Sequence, residues 1–153
     1  MKSVNIHASC VRLGTSGVLL LGRSGSGKSD LALRLIANGA RLVADDRVEL
    51  FVQSGRLKAR PPRALAGLME INGLGIVAQP HVAQAVIALA VQLDARPARL
   101  PKPQFYAVQG LKGDIAPVPL IRLDAFQASA PAKIAAALTG FSKDLFRHTA
   151  NPK

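Results

Sequence analysis

The sequence predicts an α/β fold: a strand-rich sheet around a phosphate-binding loop. Three observations predict it. Residues Gly22-Arg23-Ser24-Gly25-Ser26-Gly27-Lys28-Ser29 spell GxxxxGKS. An apolar run, Val18-Leu19-Leu20-Leu21, precedes them and reads as a buried parallel strand. An amphipathic stretch, Asp30-Leu31-Ala32-Leu33-Arg34-Leu35-Ile36, follows, with Leu31, Leu35 and Ile36 at helical spacing and a stop at Asn38-Gly39. Strand, loop and helix are the context that gives the motif its meaning. Glycines let the backbone curl until its N–H groups face a polyphosphate. A helix beginning near Gly27 adds the positive end of its dipole. Lys28 brings a mobile positive charge to the outer phosphates, and Ser29 offers a hydroxyl to Mg²⁺. The expected ligand is a nucleoside triphosphate held by Gly22 through Ser29.

The other elements follow in order. Ile6–Arg12 reads as a first strand, with a turn at Thr15-Ser16-Gly17. Arg41–Ala44 is a second buried strand ending in Asp45-Asp46. Val48–Val52 and Arg56–Arg60 form a hairpin around Ser54-Gly55. Pro61-Pro62 breaks the pattern, Ala64–Met69 suggests a short helical turn, and Gly73-Leu74-Gly75 an irregular segment. Val86–Leu93 is a strong strand, and the basic, proline-rich run Arg96–Pro103 is a loop. Strands are expected at Phe105–Val108 and Val118–Leu123. Ser129-Ala130-Pro131 starts an Ala-rich helix, with Ser129 as cap, that stops at Gly140. A last short helix is expected over Ser142–Phe146, then a frayed tail to Lys153.

Composition narrows the function. A length of 153 residues fits one domain, here 1–153, and 49% apolar residues can build its core. Only 4% are aromatic, so that core rests on Leu, Val, Ile and Ala. No run of about 18 apolar residues offers a membrane span, and Lys2 is not followed by the apolar segment of a signal peptide. The single cysteine, Cys10, excludes an internal disulfide framework and fits a cytoplasmic setting; a buried small side chain is its expected role. A net charge of +11 should attract polyanions. Nucleic acid is not the expected one, because the basic residues are scattered and only five Phe and one Tyr could stack bases.

A phosphoryl-transfer site needs a carboxylate for the metal and a group to take the nucleophile's proton. Asp45 and Asp46 stand 17 residues after Lys28, at the carboxyl end of a predicted strand, the edge where α/β sheets bind ligands. A polar turn is the plain alternative. Glu70, between apolar Met69 and Ile71, is either paired or metal-bound, or a solvent-facing residue of an edge strand. His7 stands alone, and a lone histidine is more often structural than catalytic.

His7-Ala8-Ser9, the loop Gly22–Ser29, Arg41-Leu42-Val43-Ala44-Asp45-Asp46 and Met69-Glu70-Ile71-Asn72-Gly73-Leu74-Gly75-Ile76 together resemble the ordered blocks of the HPr kinase/phosphorylase family. These bacterial enzymes phosphorylate a serine of the phosphocarrier HPr. The resemblance covers residues 5 to 100 best and is to the catalytic domain alone. It implies a PEP carboxykinase-like core, ATP and Mg²⁺ as cofactors, an HPr-like protein as partner and a hexamer. It implies that Lys28 stabilises the moving phosphate and that Ser29 and Glu70 hold Mg²⁺. Asp45 would be the base toward the substrate serine, and the acid in a phosphate-driven reverse reaction. His7 would assist near the phosphates, and Arg99 would match a catalytic arginine. Asn72 departs from the family's usual arginine, and Arg122-Leu123-Asp124-Ala125-Phe126 stands in place of a Gly-Arg-Asn element of the longer enzymes. A small-molecule kinase and a non-catalytic nucleotide-dependent regulator are the alternative readings.

Overall fold

Strands change partners from the first turn of the chain. In the computed structural model, which describes residues 2–94 and 96–147, β1 (Ser3–Ile6) and β2 (Ser9–Leu13) are separate. The single strand expected over Ile6–Arg12 is broken because its two halves serve different neighbours. β1 pairs antiparallel with β5 (Val48–Gln53), whereas β2 lies between β3 (Ser16–Leu21) and β4 (Arg41–Ala44). His7 therefore occupies a corner rather than a strand. The hairpin of β5 with β6 (Arg56–Arg60) forms as expected, and β9 (Ala85–Gln92) joins it to β3. The sheet order is β1-β5-β6-β9-β3-β2-β4, with β10 (Leu120–Arg122) paired to β9.

Strand direction decides where ligands can go. β9 runs parallel to both β3 and β10. β2 runs antiparallel to both β3 and β4, so β4 is parallel to β3. The carboxyl ends of β10, β9, β3 and β4 thus open on one edge, and β2 begins there.

Period-2 alternation divides the apolar residues between two faces. Val11, Val18, Leu20, Leu89 and Val91 pack against α1 (Lys28–Ala37) and α2 (Ala130–Ser142) through Leu31, Leu35 and Ile134. Each such leucine buried contributes roughly 1.5–3 kcal/mol. Cys10, Leu19, Leu50, Leu57 and Ile87 point to the other face, covered by Tyr106, Val108, Leu111, Ile115 and Val118 of segment 104–120. Of the two strands expected here, the second forms as β10 (Leu120–Arg122), while Phe105–Val108 belongs to a strap and not to a strand. Phe105 makes a single bridge to Pro119, and the Tyr106 N–H donates to the Val118 carbonyl at 2.8 Å. Pro101, Pro103, Pro117 and Pro119 remove the donors a ladder would need. Burial beneath this strap pushes the Tyr106 hydroxyl's pKa up, and burial likewise holds the Cys10 thiol protonated and inert.

Three local expectations are corrected. The helical turn expected over Ala64–Met69 is a 3-10 turn at Arg63–Leu65; β7 (Leu68–Ile71) and β8 (Gly75–Ala78) then make a separate hairpin around the segment expected to be irregular. Helix α2 runs through Gly140 to Ser142, because the missing side chain admits the Phe146 ring; a Cβ there would lie 2.6 Å from Phe146 Cε2. No helix follows: Asp144 turns the chain with φ 52°, and the Leu145 N–H donates back to the Gly140 carbonyl at 2.8 Å. Ser129 precedes α2 without a side-chain cap, while Pro131 occupies its first turn as expected. The tail beyond 147 lies outside the described residues.

Candidate functional site

The glycine loop leaves β3 at the middle of the open edge. Gly22 has φ +149°, and a Cβ on it would lie 2.4 Å from Ser26 Oγ, so only glycine lets the loop close this tightly. Gly27, with φ +96°, turns the chain into α1. Ser26 Oγ is buried with no hydrogen-bond partner among the described residues. Lys28 is 6% exposed, and its Nζ donates to the Gly22 carbonyl at 2.6 Å and the Arg23 carbonyl at 3.0 Å. No carboxylate pairs with Lys28 among the described residues. A buried ammonium without a counter-ion, beside an orphaned hydroxyl and a helix N-terminus, is suited to an anion.

On the β4 side, Asp45 lies one hydrogen bond from that loop. Its Oδ1 accepts from Ser29 Oγ at 2.7 Å and from Ser9 Oγ at 3.0 Å. Ser9 is wholly buried at the start of β2, and its Oγ also accepts the Asp46 N–H at 3.2 Å. Asp46 is left-handed, φ 70°, a conformation aspartate tolerates. This turn aims its carboxylate at His7, whose Nε2 lies 2.5 Å from Asp46 Oδ1. Two adjacent carboxylates therefore face different partners, which limits their mutual repulsion.

Asp94 and the turn after β10 form the opposite side. Asp94 follows β9, and its carboxylate accepts the Arg23 N–H at 3.2 Å and a hydrogen bond from the Gln92 amide. The Gln92 bond first, and the Arg23 N–H after it, hold the Asp94 carboxyl below the usual carboxylate range. Asp124, Phe126 and Gln127 follow β10, and together with Arg23, Ser26 and Arg96 they line a cleft of about 800 Å³ beside the loop.

The structure thus brings together Lys28, Ser29 and Asp45, and places His7 against Asp46, the next residue of the turn after β4. It does not bring Glu70 or Arg99 into this hydrogen-bonded group. Glu70 faces outward on β7, while its neighbour Met69 packs into the core with Leu31 and Leu35. Arg99 is exposed in the loop after β9. Neither makes a hydrogen bond or ion pair among the described residues. Those residues hold no cluster of three or more His, Cys, Asp or Glu side chains that could bind a metal. Mg²⁺ on a polyphosphate needs only one or two protein oxygens, and Ser29 Oγ and an Asp45 oxygen could supply them. Sequence reasoning missed Ser9, Asp94, Arg34 and Phe126. Asp94 was within reach, because it ends a predicted strand just as Asp45 does.

Residues 1–93 match the family described as HPr Serine kinase C-terminal domain. Among solved structures, the HPr(Ser) kinase/phosphatase from Coxiella burnetii is similar, at 24% sequence identity and a TM-score of 0.76, over 93% of this chain and 92% of that one. That likeness supports the α/β, strand-rich fold. No helix among the described residues is long and apolar enough to cross a membrane.

Proposed function

The chain belongs to the HPr serine kinase C-terminal domain family, and we propose that it is an ATP-dependent serine kinase acting on an HPr-type phosphocarrier protein. The observation that carries this reading is the Ser9–Asp45–Ser29 cluster, one residue from the buried cation Lys28. Two hydroxyls hold Asp45 Oδ1, while Oδ2 makes no hydrogen bond among the described residues. The carboxylate is thereby oriented, with one oxygen left for a proton.

In the forward direction the substrate serine oxygen attacks the γ-phosphorus of ATP as Asp45 accepts the serine proton. The bond from that phosphorus to the β–γ bridging oxygen breaks, and ADP departs. Lys28 offsets the charge building on the outer phosphates. Ser29, with Asp45 or Glu70, would hold Mg²⁺, which supplies further charge neutralisation on the phosphates. His7 keeps Asp46 turned away from Asp45, and Arg99, exposed in the loop after β9, is a candidate second cation. In the phosphorylase direction an oxygen of inorganic phosphate attacks the phosphoserine phosphorus, the bond from that phosphorus to the serine oxygen breaks, pyrophosphate forms, and a protonated Asp45 returns its proton to the departing serine oxygen. The reading also takes 1–153 as one catalytic domain, acting in the cytoplasm as a hexamer without nucleic-acid or membrane partners.

The test is transfer of label from γ-labelled ATP to an HPr-type protein with Mg²⁺, followed by phosphosite mapping. Label on a serine is the expected result. ATP binding without transfer would replace this reading with that of a nucleotide-dependent regulator.

A further inference from the structure

The topology assigns the two sides of the glycine loop different tasks, and the β10 side is unclaimed by transfer chemistry. Ser9, Ser29 and Asp45 gather on the β4 side. A triphosphate with its reactive end there must extend its nucleoside elsewhere, and the cleft beyond Ser26 is the adjoining space. At about 800 Å³ it falls within the usual range for small-molecule sites. Asp124, Phe126 and Gln127, on the β10 side of the cleft, lie beyond the family match.

We propose that Phe126 is the stacking platform for the base of the nucleoside triphosphate, a specificity element that rests on the nucleotide reading above. Its ring is 67% exposed, in a protein with few aromatics. It leans over the end of the loop: a Cβ on Gly27 would lie 3.2 Å from Phe126 Cζ. The backbone that carries the ring is also held in place. Asp124 Oδ1 accepts the Phe126 N–H at 2.9 Å, closing a side-chain turn around it. Arg34, on the helix that starts at the loop, donates to the carbonyls of Ala125 and Gln127 on either side of Phe126, and Asp30 pairs with it at 3.0 Å. Loop, helix and the turn that carries the ring are therefore tied together. A solvent-facing ring on an anchored turn beside a polyphosphate cradle suits a flat base with an aromatic face.

One polar atom on each of the residues flanking the ring's turn is already engaged. Asp124 Oδ1 holds Phe126, and Gln127 Oε1 accepts from Lys133 Nζ at 3.0 Å. The base is thus recognised by its face more than by its edge, and ATP and GTP should bind within about tenfold of each other.

The experiment compares ATP with inorganic tripolyphosphate on the full chain by calorimetry. Phe126→Ala should weaken ATP about tenfold, the size of one base–aromatic stack, and leave tripolyphosphate unchanged. Phe126→Trp should bind ATP as the wild type does. The chain has no tryptophan, so that variant's emission reports the site directly. ATP should quench or shift it, and tripolyphosphate should not. Wild-type ATP affinity in Phe126→Ala, or equal loss of ATP and tripolyphosphate, overturns this inference and leaves the nucleotide reading standing. A wild-type protein that binds neither ligand overturns both.

Discussion

The two flanks of the glycine loop are fastened by different means. On the β4 flank, the bonds at the carboxylate run from side chain to side chain: Ser9 and Ser29 both donate to one Asp45 oxygen within 3.0 Å, and Ser9 takes the Asp46 N–H besides. On the β10 flank, side chains grip backbone: Arg34 takes two carbonyls, Asp94 takes the Arg23 N–H and Asp124 takes the Phe126 N–H. Hydroxyl–carboxylate bonds can exchange partners as charge moves. Backbone anchors instead fix the position of a loop. The contrast suggests chemistry on one flank and placement on the other, and variants on each side should separate the two.

The largest effect is expected at Asp45. Asparagine keeps the shape and an acceptor oxygen for Ser9 and Ser29 but cannot take a proton. Asp45→Asn should lower phosphoryl transfer by about 10²–10⁴-fold while ATP affinity stays within about threefold. Transfer rates in single-turnover conditions, beside calorimetric binding, make the comparison. Near-normal transfer would move the base elsewhere and erase the distinction between the flanks.

Arg34 tests the other flank. Arg34→Ala releases the carbonyls of Ala125 and Gln127 and should destabilise the fold by about 1–2 kcal/mol. ATP affinity should drop several-fold, because Phe126 loses its fixed position, while tripolyphosphate affinity holds. Arg34→Lys should fall between, since a single ammonium nitrogen lacks the spread of the two guanidinium nitrogens that here reach one carbonyl each. If Arg34→Ala instead weakens both ligands equally, the helix and loop, and not the ring, depend on that side chain.

How much of this was legible beforehand follows the same division. The β4 flank is local in sequence or marked by residue type: a glycine loop, a lysine, and a carboxylate ending an apolar run. Asp45 could be placed because strand ends share an edge. Ser9 could not, since a serine inside an apolar strand has many uses and only the pairing of β2 with β4 brings it to Asp45. The β10 flank depends on contacts far apart in the chain. Arg34 reads as an ordinary helix-surface residue until the turn after β10 is folded onto it. Prolines hid the strap, which has strand-like composition but lacks the donors for a ladder. The split of Ile6–Arg12 was hidden for a related reason: alternation reports which face is apolar, not which neighbour a strand pairs with.

The smallest effect belongs to Asp94, which among the described residues is the one carboxylate bonded to the backbone of the glycine loop. Its pKa is held down by hydrogen bonds from the Gln92 amide and the Arg23 N–H. A carboxyl with a folded pKa below its unfolded one adds stability above the unfolded value, and loses it as pH falls through the folded value. Asp94→Asn should therefore lower Tm by about 1–3 °C at neutral pH, the modest size expected of a group near solvent. The gap should close in acid, below the ordinary aspartate range, once both proteins carry a neutral group at 94. Thermal melts of the pair from pH 7 to pH 3 make the measurement. A gap that stays constant with pH would mean that shape, and not charge, fastens Asp94 to the loop; the two flanks would then differ less than their bonds suggest.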